Sequence, residues 1–324
     1  MKIETIHLCI DIADNYGDMG WVLEFLLMAK IIENYSIVTD DRKSLSEFLW
    51  KSGRVLPAYE IIEKSSYAPE PDTLIILGLH AEYDMSIFPP GCHVIRVNYL
   101  TYSPWYRSIH NREHIFSTPS RPIIELTYSP LSETGWVWHY PSATRNRSEW
   151  LERKGLDISL AEKIWIPIFA YRETLDMLDL SMLPDDVHLF FIGESPLFNH
   201  SSDNIHHFSW LPREDFWSLI DLADISILRW EISSLRGLMS GQPFLWDMYK
   251  WVWGWNRDDS ESYLDFIDAS HELCEIHDRI NRWGVWVIGD ILSVKNTWKR
   301  VDFQKIPDFH ETLEKTIDSF GFSL

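Results

Sequence analysis

The sequence predicts an α/β protein built from two Rossmann-like halves that face a central cleft, followed by a helical tail. Three observations carry that reading. Short apolar runs alternate with amphipathic stretches through the first half, the same alternation restarts after a polar stretch at Ser142–Asp157 (SATRNRSEWLERKGLD), and the pattern from about Ser260 onward is mostly helical. Strands separated by helix-length segments make βαβ units, and such units have parallel strands. The polar stretch reads as the linker, giving an N-terminal domain over 1–155 and a C-terminal domain over 156–307. A last helix at about 308–324 is placed so that it can pack back on the first domain.

In the first half, Ile6–Ile12 reads as a strand and Gly20–Ile32 has helical spacing. Tyr35–Thr39 is a strand, Leu45–Trp50 a helix, and TLIILG and CHVIRVNYL are buried strands. The second half runs IWIPIFAY (strand), ETLDMLDLSM (helix), VHLFFIG (strand), REDFWSLIDLA (helix), ISILR (strand), SSLRGLMSG (helix ending on Gly241) and PFLWDMY (strand). No GxGxxG follows the first strand and no P-loop is present, which disfavours a dinucleotide oxidoreductase.

Composition sets further bounds. At 324 residues, 45% hydrophobic and 24% charged, the chain is long enough for two cores. Its formal charge of −20 disfavours a phosphate-backbone partner, which needs basic patches. Three dispersed cysteines without a CxxC argue against a disulfide framework or zinc site and for a reducing compartment. Neither a signal peptide nor an apolar run of membrane length is visible, so the expected address is the cytoplasm.

Two clusters could carry chemistry. The first strand ends in Asp14-Asn15-Tyr16-Gly17-Asp18, two carboxylates four apart around a glycine, where an α/β sheet presents its ligand side. A carboxylate there can act as general base, but a turn with Asp18 supporting the next helix N-terminus explains the same residues. In the second half, ILRWEISSLRGLMSGQPFLWDMY ends a strand on Arg229 and opens a helix near Glu231, Ser233 and Ser234. Free amides at a helix start, two hydroxyls and a guanidinium make an anion site; a plain helix cap is the competing reading. Phe169, Tyr171 and Phe216 offer aromatic faces to a base, or a packed core.

The ordered set DNYGDMG, WLPREDF and R-x-E-x-S…G-x-PFLW-x-x-Y, with NYLTYSPW and SPLSETG in the first half, resembles the elongation factor P arginine rhamnosyltransferases (EarP). The resemblance covers about residues 8–250. It implies a GT-B fold and an inverting, metal-independent transfer of rhamnose from dTDP-β-L-rhamnose to an arginine of elongation factor P. By the family's motif, Asp18 would be the general base and Asp14 would position the guanidinium, with Asn15, Tyr16 and Gly17 completing the acceptor-side loop. Phe169 and Phe216 would flank thymine. Tyr171, Arg229, Ser233 and Tyr249 would hold the diphosphate, with Ser234 beside them, and Glu231 would hold the nucleoside sugar.

The departures fall on the donor side. Where the family has Arg-Gly-Glu-Asp-Ser, this chain has Arg229-Trp230-Glu231-Ile232-Ser233; its glutamine after Leu-Pro is Arg213; its Tyr-Pro-Gln is Tyr249-Lys250-Trp251. Another nucleotide sugar or acceptor, or a homologue that binds without turnover, are the alternatives this leaves. The Trp251, Trp253 and Trp255 series reads as core or covered edge. His206-His207 lack acidic or cysteine partners at metal spacing, and HNREH sets His110 and His114 four apart where the surroundings do not support a helix, so no metal is expected.

Overall fold

In the computed structural model, the described residues are 6–10, 35–51, 60–78, 85–98, 123–128, 135–136, 146–193, 202–229, 231–248, 257–283 and 286–299, with 311, 315–316 and 318. The chain divides into two compact units: 1–139 together with 304–324, and 140–303.

The first unit holds a sheet of seven parallel strands: β1 (Ile6–Cys9), β2 (Tyr35–Thr39), β3 (Glu60–Glu63), β4 (Leu74–Leu77), β5 (His93–Asn98), β6 (Ile123–Tyr128) and β7 (Gly135–Trp136), in the order β3-β2-β1-β4-β5-β6-β7. Every residue of β1 and β4 is buried, as expected of central strands covered on both faces. The edge strand β3 puts exposed glutamates at both ends, which discourages pairing with another chain. Cys9, Val38, Ile75, Leu77 and Val94 pack with Tyr67, Phe88 and Cys92 on one side of this sheet. Inside that core the Tyr67 hydroxyl lies 2.8 Å from His7 Nδ1. Helix α1 (Arg42–Lys51) follows β2, its first turn fixed by Asp41, which accepts from the amide and hydroxyl of Ser44.

The second unit begins with a helix where the sequence reading has a linker. Residues 147–154 form α2 (Arg147–Lys154), opened by Asn146, which accepts from the Ser148 amide, and closed by Gly155 at φ 67°. Trp150 and Leu151 are fully buried against Trp165, Phe190, Leu211 and Leu219. The boundary therefore falls before this segment, not within it. The charges that made it look solvated are used internally. Arg147 donates to the carbonyls of Leu222, Ala161 and Lys163 and to Asp224 Oδ2 at 2.7–3.2 Å, and its guanidinium lies over the Trp165 ring.

Five strands form the second sheet: β8 (Ile164–Phe169), β10 (Val187–Ile192), β11 (Ile205–Phe208), β12 (Ser226–Arg229) and β13 (Phe244–Asp247), all parallel, in the order β11-β10-β8-β12-β13. Two-residue strands β9 (Leu178–Asp179) and β14 (Trp286–Val287) pair separately. Pro167 sits in the middle of central strand β8, where a missing N–H is normally costly. Trp165 directs its amide and carbonyl to Asp224, on the β12 side; Pro167, two residues on, faces the same way. The ladder to β12 pairs only Ile168 and Phe169, beyond the proline.

The helix expected over ETLDMLDLSM is a single turn, α3 (Arg172–Leu175), before the chain extends into β9. Helices α4 (Arg213–Leu222) and α5 (Glu231–Ser240) lie over REDFWSLIDLA and SSLRGLMSG, α5 opening two residues earlier than the reading, and α6 (Arg257–Phe266), α7 (His271–Trp283) and α8 (Ile288–Thr297) follow in the tail read as mostly helical. His206 and His207 lie on the edge strand β11 and stack on Phe190 and Phe191, a packing role.

Candidate donor site at the second sheet's switch point

Both sheets change direction of strand order beside their first strand, between β1 and β4 and between β8 and β12. Crossovers leave such a point on opposite faces of the sheet, opening a crevice beyond the carboxyl ends. In the first unit that end is marked by Gly78, whose amide donates to the Cys9 carbonyl at 2.8 Å. A Cβ there would stand 3.3 Å from the same oxygen. Asp14, Asn15, Tyr16, Gly17 and Asp18 lie outside the described residues, as do Trp230, Tyr249, the tryptophans at 251, 253 and 255, and His110 and His114. The Gly20–Ile32 helix expectation falls there too.

In the second unit the switch point gathers residues distant in sequence. Phe169 ends β8, Tyr171 follows two residues later, and Arg229 ends the adjacent β12. Arg229 Nη1 donates to the Ala170 carbonyl at 3.2 Å, and its guanidinium carbon lies 4.4 Å from the Phe169 ring centroid and 5.4 Å from that of Tyr171. The cation is thus held over two aromatic faces. Burial draws the Arg229 pKa down, with Tyr171, Asp247 and Glu173 opposing. An arginine so placed stays charged at neutral pH.

Two residues beyond β12, α5 starts at Glu231, so its first-turn amides open at the carboxyl end of the strand. The Ser233 hydroxyl donates to the Arg229 carbonyl, and Ser234 is fully buried. Ser233 must therefore turn its proton before it can serve a phosphate. The backbone of Glu231 is described; its side chain is not.

Helix α5 lies close to the sheet because of Gly237. A Cβ there would meet Leu228 Cδ1 at 2.6 Å and two Phe244 ring atoms at 2.9 Å. The glycine lets helix and sheet approach one another.

Phe169 and Phe216 meet each other edge to face, with centroids 5.2 Å apart at 68°. A base held between them needs about 7 Å, two van der Waals contacts of ~3.5 Å, so one ring must swing out. Arg213 is turned along its own helix onto Trp217, 5.5 Å from the ring, with Arg236 at 5.9 Å on the same ring. Arg236 in turn pairs with Asp221. Burial pulls the Arg213 pKa to about 9, opposed by Glu214 and reinforced by Arg236.

Two participants escape a sequence reading: Asp247, which accepts from the Tyr171 amide, and Thr174, which donates to the same carboxylate. The available signal was an acid closing a buried strand in PFLWDMY.

Among the described residues, no group of three or more His, Cys, Asp or Glu is placed to hold a metal ion, and no helix is long and apolar enough to cross a membrane.

No protein-family model matches the chain. A protein-arginine rhamnosyltransferase of Neisseria meningitidis serogroup B is 29% identical over 103 residues, which is 32% of this chain and 24% of the relative. Over that third of its length the chain is similar in sequence to a protein-arginine rhamnosyltransferase. The match spans about a quarter of that relative's length. Among solved structures, the one describing EarP-mediated arginine glycosylation of translation elongation factor EF-P superposes with TM-score 0.51 and 15% identity, covering 97% of this chain and 99% of the other. The spinosyn rhamnosyltransferase SpnG gives 0.55 at 8% identity, covering 98% and 100%. A UDP-N-acetylglucosamine 2-epimerase, so described as putative, from Listeria monocytogenes gives 0.53 at 11%, covering 99% and 97%. These likenesses establish the GT-B fold. That an epimerase is among them means the fold by itself does not select transfer.

Proposed function

We propose that this protein is an inverting protein-arginine rhamnosyltransferase that moves rhamnose from dTDP-β-L-rhamnose to an arginine of elongation factor P, without a metal. The observation that carries the reading is the convergence of Phe169, Tyr171, Arg229 and the start of α5 at the switch point of the second sheet. Aromatic faces, a pinned guanidinium and helix amides suit a nucleoside diphosphate. The partial sequence match and the intact DNYGD motif supply the reaction class.

The chemistry asks for these parts. An arginine side chain is protonated and a poor nucleophile. Asp14 and Asp18 pair with its planar fork, and Asp18 takes a proton as nitrogen attacks the anomeric carbon. The bond from that carbon to the diphosphate oxygen breaks on the opposite face, inverting the centre. Arg229 and the α5 amides then stabilise the departing negative charge.

The test is direct. The protein is mixed with dTDP-rhamnose and elongation factor P from the same source, and the acceptor's intact mass is read. A gain of one deoxyhexose, absent with Asp18→Asn, is the expected result. No gain with dTDP still bound would refute this donor–acceptor pair.

The Trp230 and Ile232 replacements favour a second reading, the same fold and reaction with another nucleotide sugar. Comparative binding of dTDP, UDP and GDP separates the two. A clear preference for dTDP removes the second.

A further inference from the structure

Asp247 closes β13 and is 1% exposed. Its Oδ2 accepts from the Tyr171 amide at 2.6 Å and its Oδ1 from the Thr174 hydroxyl at 2.7 Å. Strand β13 does not neighbour β8; β12 lies between them. The carboxylate therefore reaches past the end of β12, where Arg229 is its register partner, to seize the first turn of α3. It touches three parts of the crevice floor at once: the Tyr171 backbone, α3, and the electrostatic surroundings of Arg229.

We propose that Asp247 is a positioning residue of the donor-phosphate site. Its hydrogen bonds to the Tyr171 amide and the Thr174 hydroxyl fix the turn that presents Tyr171, and its negative charge restrains the attraction of Arg229 for an anion. The proposal rests on reading this crevice as a nucleoside-diphosphate site. A buried carboxylate beside a phosphate site lowers anion affinity, so an acid at this position is costly unless it does something an amide does not. The geometry separates the two roles. An asparagine can satisfy the same partners, its carbonyl accepting from the Tyr171 amide and its amide donating to Thr174, because a hydroxyl serves as donor or acceptor. Asp247→Asn removes the charge and keeps the turn; Asp247→Ala removes both.

The experiment pairs hydrogen exchange of the full-length protein, read over the amides of residues 171–176, with calorimetric titration of dTDP at pH 7.5. Asp247→Asn is expected to keep wild-type exchange and bind dTDP about three- to ten-fold tighter, the effect of removing one nearby like charge. Asp247→Ala is expected to exchange faster across that turn and to bind dTDP more weakly than Asp247→Asn. Thr174→Val tests the turn from the other side of one bond and stands in if the alanine variant does not fold; it is expected to speed exchange at the same amides. Wild-type exchange over 171–176 in both Asp247→Ala and Thr174→Val would overturn the positioning role. Unchanged or weaker dTDP binding in Asp247→Asn would overturn the charge role. If the wild-type protein binds no dTDP, the donor reading fails on its own; the exchange comparison still decides whether Asp247 holds the turn.

Discussion

Adding one methyl group at Gly237 tests how closely α5 must approach the second sheet. In Gly237→Ala, the new Cβ would lie 2.6 Å from Leu228 Cδ1 and 2.9 Å from two atoms of the Phe244 ring. Carbon atoms rest at about 3.5–4.0 Å, so the contacts must open by roughly 0.6 Å at Phe244 and roughly 0.9 Å at Leu228. Neither neighbour has room, since Leu228 is fully buried and Phe244 almost so. Overpacking of this kind costs about 1–3 kcal/mol, and alanine returns up to about 1 kcal/mol through its better helix propensity. The net expectation is a loss of about 1–2 kcal/mol. Urea unfolding followed by circular dichroism reads the loss, and hydrogen exchange over Ser226–Ser240 localises it to β12 and α5. A midpoint equal to or above wild type would refute the steric argument, because propensity alone would then govern the site.

Four further outcomes are expected. Arg229→Ala should weaken dTDP binding by about 1.5–3 kcal/mol, the worth of a charged hydrogen bond, read by calorimetry; unaltered affinity would remove Arg229 from the phosphate site. Asp18→Asn should abolish transfer to elongation factor P with dTDP affinity nearly unchanged, and a wild-type turnover rate would show that another group is the base. Arg147→Lys should destabilise the second unit by roughly 2–4 kcal/mol, because a lysine cannot serve three carbonyls and Asp224 together; an unshifted urea midpoint would count against the clamp. Burial lowers His206 and His277 to about 4, below the ordinary 6.5. The unfolded chain then binds more protons between those values. Their contribution is full above pH 6.5 and is lost as pH falls toward 4. Urea midpoints that stay level from pH 7 to 4.5 would contradict this.

The local elements were legible because their causes are local. The buried runs LIIL and VHLFFI, the amphipathic REDFWSLIDL, and the glycine after SSLRGLMS each declare themselves over a few residues. The segment 142–157 misleads for a related reason. Its polar residues outnumber Trp150 and Leu151, and only the assembled unit shows Arg147 spending its donors on carbonyls up to 75 positions away. ETLDMLDLSM has helical spacing, yet the chain pairs Leu178 and Asp179 with a strand more than a hundred residues later.

The sequence by itself determined the alternating α/β plan, the placement of Phe169, Arg229 and the α5 start at strand ends, and the DNYGD motif that helps carry the family resemblance. Those follow from periodicity, turn chemistry and motif, all properties of neighbouring residues. Tertiary structure alone decided that Arg229 is pinned by rings and a carbonyl, that Arg213 turns onto Trp217, that Phe169 and Phe216 touch, and that Asp247 holds Tyr171 across 76 positions of chain. Which side chains share a crevice is fixed by strand order, and strand order is a choice among distant pairings that no local pattern records.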